Sequence, residues 1–179
     1  MNFLIKNMTL LIFTDIDGTF INNDTFDEGL NTKTISELAK AQHSVVFNTS
    51  KTFEEVDYFQ KKIKTSLSFI CETGGGIYIA NDNLKTTESS RAAYQILYES
   101  RKITEYKDQI QSEIYKNFGD DLTFFDDLSV EEKSSLSGLS GHDLALASRR
   151  DFSILIKWKS TKSKYNEFKL FLKKFKLNL

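Results

Sequence analysis

Between residues 10 and 80, short apolar runs alternate with segments of helical spacing, and this alternation leaves few architectures open. Residues 10–14 form an apolar run closed by Asp15-Ile16-Asp17-Gly18, the pattern of a buried parallel strand ending in a tight turn. Residues 34–41 place Ile35, Leu38 and Ala39 at helical spacing, and 44–48 make a second short strand before a polar Thr-Ser-Lys-Thr turn. This is a β-α-β unit with Asp15 at the carboxyl end of its first strand. Thr52 predicts the N-cap of a helix running to residue 62, with Val56, Phe59 and Ile63 inward and Glu55 three residues past the cap. Residues 67–71 read as a third strand and 77–80 as a fourth extended piece, separated by Gly74, Gly75 and Gly76. The glycines lack Gly-x-Gly-x-x-Gly spacing and open no helix, so they predict a tight hairpin rather than a phosphate cradle. The fold class expected is α/β, with residues 1–80 forming half of a doubly wound, largely parallel sheet.

From residue 81 to 90 the chain is polar, which predicts a linker, and 81–179 are expected to form a second, α+β module. Its expected elements are a helix over 101–118 with Ile103, Tyr106, Ile110, Ile114 and Phe118 as its stripe, and a strand over 122–125. Short helices over 129–134 and 141–149, a strand over 152–158 and an amphipathic helix over 161–175 complete it. With 179 residues and 40% hydrophobic content, one domain, or a core plus an inserted one, can bury a real core. The 24 basic and 25 acidic residues nearly cancel, so overall charge argues against nucleic acid and against an anionic membrane as partners. Cys71 is the only cysteine, excluding an internal disulfide. The apolar run near the N-terminus is interrupted by Asp15 too soon for a signal peptide or a membrane span, and the expected location is the cytoplasm.

Asp15-Ile16-Asp17-Gly18-Thr19 puts two carboxylates two residues apart, where open α/β sheets bind ligands. One carboxylate can attack phosphorus while its neighbour protonates the leaving oxygen and later activates water. A divalent cation such as Mg²⁺ would relieve their repulsion and neutralise a phosphate. A solvated, inert acidic turn has the same residue types, and taken alone an Asp-x-Asp favours that plainer account.

This segment resembles the first signature of the haloacid dehalogenase (HAD) phosphatases, Asp-x-Asp-Gly-Thr after a buried strand. Phe47-Asn48-Thr49-Ser50-Lys51-Thr52 resembles the second signature, a hydroxyl residue that binds the transferring phosphoryl group, and Thr49 matches its motif position. Thr49 to Thr52, with Glu54-Glu55 behind, and the run from Phe69 through Glu72-Thr73-Gly74-Gly75-Gly76 to Ile79 resemble the mannosyl-3-phosphoglycerate phosphatase branch. Thr73 stands where that branch has asparagine. Residues 81–179 resemble the family's inserted cap, and Arg149-Arg150-Asp151-Phe152-Ser153 is similar to a cap segment in which Arg150 matches the branch's arginine. The branch's glutamate at the end of that segment is Ile154 here, which departs from its sugar-recognition pattern. A cationic pair at a helix C-terminus accounts for Arg149 and Arg150 equally well.

The resemblance implies an incomplete HAD-like Rossmannoid core with a cap. Its implied activity is a Mg²⁺-dependent phosphatase acting on a small phosphorylated metabolite, of the mannosyl-3-phosphoglycerate kind, through an aspartyl-phosphate. Asp15 is implied as nucleophile, Asp17 as general acid and base, and both as metal-site residues. Gly18, Thr19, Thr49, Ser50 and Lys51 are implied around the phosphate, and Arg150 at the substrate. The family's third and fourth signatures, a lysine and a Gly-Asp-x-x-x-Asp segment, follow the cap and have no counterpart here, so a C-terminal truncation is expected. Gly119-Asp120-Asp121 with Asp126 and Asp127 imitates the last signature but precedes Arg150 and follows no apolar strand. Half a doubly wound sheet leaves an open edge and apolar faces, from which a homodimer or pairing with a separate C-terminal piece is expected. The alternative function is a truncated relative that binds a phosphorylated ligand without turnover, or has no role of its own.

Overall fold

A computed structural model of the chain describes residues 9–22, 27–81, 91–177 and 179, and these fall into two compact units that meet in sequence at Ser100 and Arg101. In the first, β1 (Leu11–Thr14), β2 (Ser44–Asn48) and β3 (Ser68–Cys71) are parallel neighbours, with Thr14 opposite Phe47 and Phe47 opposite Phe69. The crossovers are α1 (Asn31–Lys40) and α2 (Phe53–Lys62). Next come β4 (Gly76–Ala80), antiparallel to β3, and β5 (Tyr94–Glu99), antiparallel to β4, giving a five-stranded sheet in the order β1-β2-β3-β4-β5.

α2 forms as its cap chemistry dictates. Thr52 accepts a hydrogen bond from the Glu55 amide at 3.2 Å, and the Glu55 carboxylate accepts one from the Thr52 amide at 2.9 Å. Both Val56 and the Phe53 ring are buried against the sheet. Phe53 stands edge-on to Tyr78 at 4.7 Å between centroids, and Phe69 stacks on Tyr78 at 5.1 Å. Tyr94 closes the cluster, 5.1 Å from Phe69, with its hydroxyl accepting a bond from the Gln60 amide nitrogen at 3.3 Å.

Burial, with a smaller contribution from Asp57, pushes the Tyr94 phenol up to about 12. Its ordinary value, near 10, is also that of the unfolded chain, so folding favours the protonated phenol. That stabilisation is whole below pH 10 and is lost as pH rises through 12. We expect the urea midpoint of the wild-type chain to fall across this window, and Tyr94→Phe to flatten the fall. An equal alkaline loss in Tyr94→Phe assigns the effect elsewhere.

The structure moves one boundary that the sequence suggests. The division at 80/81 moves to Ser100/Arg101, because β5 pairs along the length of β4 and belongs to the first sheet. Gln95 to Tyr98 are all exposed, so β5 lacks the half-buried alternation by which a strand is recognised. The linker expected over 81–90 lies, beyond Asn81, outside the described residues, as do residues 1–8 of the N-terminal segment. The fourth strand runs antiparallel to β3, because the glycine segment folds as the hairpin expected from the sequence, with the Gly75 amide bonded to the Cys71 carbonyl at 3.0 Å.

That hairpin holds Glu72 and Thr73 at φ of 46° and 56°, ahead of Gly74 at 98°. A β-branched residue is poorly suited to the left-handed region and asparagine well suited. Thr73→Asn is therefore expected to raise stability by about 0.5–1 kcal/mol, read as a higher urea midpoint at unchanged slope. A lowered midpoint shows that the threonine side chain contributes more than its backbone conformation costs.

The second unit contains α3 (Lys107–Phe118), β6 (Leu122–Phe124), α4 (Val130–Ser137), α5 (Gly141–Ala147), β7 (Ile156–Trp158) and α6 (Lys162–Lys173). β6 and β7 pair antiparallel, Leu122 opposite Trp158. Ile110, Ile114 and Phe118 of α3 bury against Phe168 and Leu172 of α6, with Leu122 and Phe124 from β6 in the same cluster. The α3 residues belong to the stripe expected from the sequence, and α6 is amphipathic as expected. The helix expected from 101 begins at Lys107, after a short 3-10 turn over Ile103–Glu105, and the strand expected over 152–158 keeps only its last three residues. Among the described residues, no helix is long and apolar enough to cross a membrane.

Candidate active site

Asp15 is the first residue beyond β1, and alternation along the chain sends its neighbour Ile16 fully into the core while Asp15 stays exposed. The Asp15 carboxylate accepts a hydrogen bond from the Ile16 amide at 2.7 Å. The chain then reverses: the amides of Phe20 and Ile21 both donate to the Ile16 carbonyl, at 3.0 and 2.9 Å. Gly18 takes φ of 68°, the left-handed conformation this turn requires. The Asn31 side-chain amide donates to the Phe20 carbonyl at 2.7 Å, and the Phe20 ring lies edge-on to Phe47, 5.1 Å between centroids. The acidic turn is thus tied both to α1 and to the neighbouring strand.

The loop after β2 is fixed as firmly. Thr49 is buried, its amide bonded to the Ile70 carbonyl at 3.0 Å and its hydroxyl accepting from the Lys51 amide at 3.2 Å. The hairpin braces this loop from the other side, since the Glu72 amide donates to the Lys51 carbonyl at 2.9 Å and the Thr73 amide to the Thr49 carbonyl at 3.1 Å. α2 begins immediately afterwards, so the positive end of its dipole lies at the same loop.

The two loops meet at Lys51, whose ammonium lies 3.2 Å from the Asp17 carboxylate and 3.4 Å from that of Glu55. The structure therefore brings together Asp17 and Lys51, with Asp15 beside the former and Thr49 and Ser50 beside the latter. Gly18 and Thr19 are exposed in the acidic turn. Arg150 lies in the second unit, where its Nε donates to the Ser153 hydroxyl at 2.7 Å. The sequence marked Glu55 only as a capping residue. Its i,i+4 spacing from Lys51 on the start of a helix is the signal for the ion pair as well.

Asp15 and Asp17 supply hard oxygen donors of the kind Mg²⁺ takes. Among the described residues, no group of three acidic, histidine or cysteine side chains gathers to hold a metal. Asp126 and Asp127 belong to the second unit. Asp126 pairs with Lys107, its carbonyl accepts from the Lys133 ammonium at 3.0 Å, and Asp127 accepts from the Tyr115 hydroxyl. These are local ion pairs and hydrogen bonds within the second unit.

A sheet whose parallel strands end in an acidic turn and a hydroxyl-lysine loop, joined where Lys51 meets Asp17, defines an α/β protein with charged groups gathered at the carboxyl edge of its strands. A family model for haloacid dehalogenase-like hydrolases matches residues 12–137, and the chain belongs to that family. It is 30% identical over 149 residues to the glucosyl-3-phosphoglycerate/mannosyl-3-phosphoglycerate phosphatase of Methanococcoides burtonii, covering 81% of this chain and 54% of that protein. It is 28% identical over 155 residues to the mannosyl-3-phosphoglycerate phosphatase of Pyrococcus furiosus, covering 85% of this chain and 62% of the relative. The chain thus spans little more than half the length of these curated relatives. Among solved structures, a HAD-superfamily phosphatase from Bacteroides thetaiotaomicron superposes with a TM-score of 0.59 at 11% identity, covering 94% of this chain and 62% of that one. A Thermotoga maritima protein gives 0.56 at 17% identity, with the same coverage of each chain. At these identities the superpositions show the fold alone.

Proposed function

We propose that this chain is a phosphatase for a phosphate monoester of a small phosphosugar, and that the acidic turn and the Thr49 loop form its phosphoryl-transfer site. The observation that carries this reading is the convergence of Asp17 and Lys51, 3.2 Å apart, from the ends of adjacent parallel strands. Phosphoryl transfer asks a protein mainly for positioning and charge, and both are present there.

In the proposed reaction the Asp15 carboxylate attacks phosphorus and the bond to the leaving oxygen breaks, giving an aspartyl-phosphate. Asp17 delivers a proton to that oxygen, then takes one from the water that cleaves the acyl phosphate and regenerates Asp15. The Thr49 hydroxyl, the amides near Gly18 and Ser50, and the Lys51 ammonium surround the phosphoryl oxygens, with Thr19 at the rim. Mg²⁺, as used by HAD phosphatases generally, would neutralise phosphate charge beside Asp15 and Asp17. Arg150 is proposed as a substrate residue on its match to the branch's arginine.

The names of the two relatives support a sugar phosphoglycerate as substrate, whereas Ile154 departs from the branch's recognition pattern. The test is hydrolysis of an aryl phosphate, mannosyl-3-phosphoglycerate and glucosyl-3-phosphoglycerate, with and without Mg²⁺. Faster turnover of a sugar phosphoglycerate than of the aryl phosphate supports the substrate, and no Mg²⁺-dependent turnover of any of the three refutes the phosphatase. A second reading is a phospho-ligand binding module without turnover. Calorimetric binding of inorganic phosphate without hydrolysis of any ester is the result that selects it.

A further inference from the structure

We propose that Glu55 is a positioning residue, which holds the Lys51 ammonium at Asp17 and so couples the cap of α2 to the acidic turn. For its catalytic consequence this rests on the phosphatase proposed above; its structural content stands without it.

The two oxygens of Glu55 have separate tasks. Oε2 accepts from the Thr52 amide at 2.9 Å and completes the helix cap, while Oε1 lies 3.4 Å from the Lys51 ammonium. The cap fixes where the carboxylate stands, because it ties both the backbone and the side chain of Thr52 to residue 55. At the other end, the Lys51 backbone is held by its amide bond to the Thr49 hydroxyl and by the Glu72 amide on its carbonyl. With both anchors set, only the torsions of the lysine stem remain free to place the charge.

A long, flexible ammonium chain is poorly held by one partly exposed carboxylate, and the Asp17 side chain is 40% exposed. The Glu55 side chain is 11% exposed and the Lys51 side chain 19%, so this pair is better shielded from water than the pair with Asp17. Glu55 is therefore the partner that confines the ammonium, and Asp17 receives a cation already in place. A plain helix cap would use the carboxylate only towards the Thr52 amide; the second oxygen turned to Lys51 is the feature that a capping role leaves unexplained.

Glutamine serves at this position of a capping box as glutamate does, so Glu55→Gln keeps the cap and removes the charge that holds Lys51. The experiment compares the wild-type chain with Glu55→Gln by acetic anhydride labelling, reading Lys51 against the exposed Lys33 by mass spectrometry. Thermal melting is measured alongside, with kcat and KM on an aryl phosphate in Mg²⁺. The expected result is labelling of Lys51 faster by about threefold or more, in keeping with loss of one ion pair, an unchanged melting temperature, and a kcat about tenfold lower with little change in KM. Unchanged labelling of Lys51 overturns the proposal, as does a kcat loss that merely follows a lowered melting temperature. If the wild-type chain hydrolyses nothing, the phosphatase reading fails by itself, and the labelling ratio still decides whether Glu55 positions Lys51.

Discussion

Asp15→Asn is expected to lower Mg²⁺-dependent hydrolysis at least ~1,000-fold while leaving the fold intact, because it removes the attacking oxygen and little else. The Asp15 carboxylate is exposed, and the hydrogen bond it accepts from the Ile16 amide at 2.7 Å is open to an asparagine carbonyl as well. The substitution also relieves the repulsion of two carboxylates two residues apart, so the melting temperature should hold or rise slightly. The measurement is a steady-state rate on an aryl phosphate for both proteins at matched concentration, together with melting curves. Turnover in Asp15→Asn within tenfold of wild type rules out Asp15 as nucleophile. A collapse of both rate and melting temperature shows instead that the acidic turn is structural.

The largest stability effect is expected at Phe53, where truncation to alanine should cost about 3–5 kcal/mol. The Phe53 side chain is almost wholly buried and stands in aromatic contact with Phe69, Tyr78 and Tyr94. The Arg91 guanidinium covers its ring at 4.6 Å and pairs with Glu54 at 3.1 Å. Alanine there leaves a cavity among the Phe69, Tyr78 and Tyr94 rings, from β3, β4 and the start of β5, which cannot close it without shifting a strand. Since small domains have only about 5–15 kcal/mol in hand, the variant should populate unfolded chain at moderate temperature. Denaturant titration decides it, and a loss below about 1 kcal/mol shows that the cluster repacks. Phe53 is also the first residue of α2, directly after Thr52, so the same variant loosens the loop that carries Thr49 and Lys51.

Much of the first unit was legible in advance for a definite reason. β1, β2 and β3 lie against one another in parallel, and strands of that kind carry continuous apolar runs closed by turn residues. α2 announced itself through Thr52 and Glu55, a reciprocal pair whose chemistry is local. The stripes of α3 and α6 were readable because each buries a single face in one cluster. β5 was not legible: four of its six residues are exposed, and its place comes from main-chain bonds to β4, which any side chains would permit. The first part of the helix expected from 101 became a 3-10 turn, and the strand over 152–158 shortened. Residue periodicity marks that an element exists far better than where it ends.

The amino-acid sequence by itself determined the carboxylate pair at the end of β1, the glycine that turns the chain after it, and the hydroxyl-lysine loop that opens α2. These are decided by residue type and nearest neighbours, through strand termination, left-handed backbone and capping. Only the tertiary structure decided that Lys51 reaches Asp17, that Glu72 and Thr73 brace the loop between them, and that Glu55 serves both the helix and the lysine. The parallel pairing of β1 with β2 puts residues distant in sequence at adjacent strand ends, and the strand register that places them there is set by burial of Val45, Phe47 and Phe69 across the whole sheet.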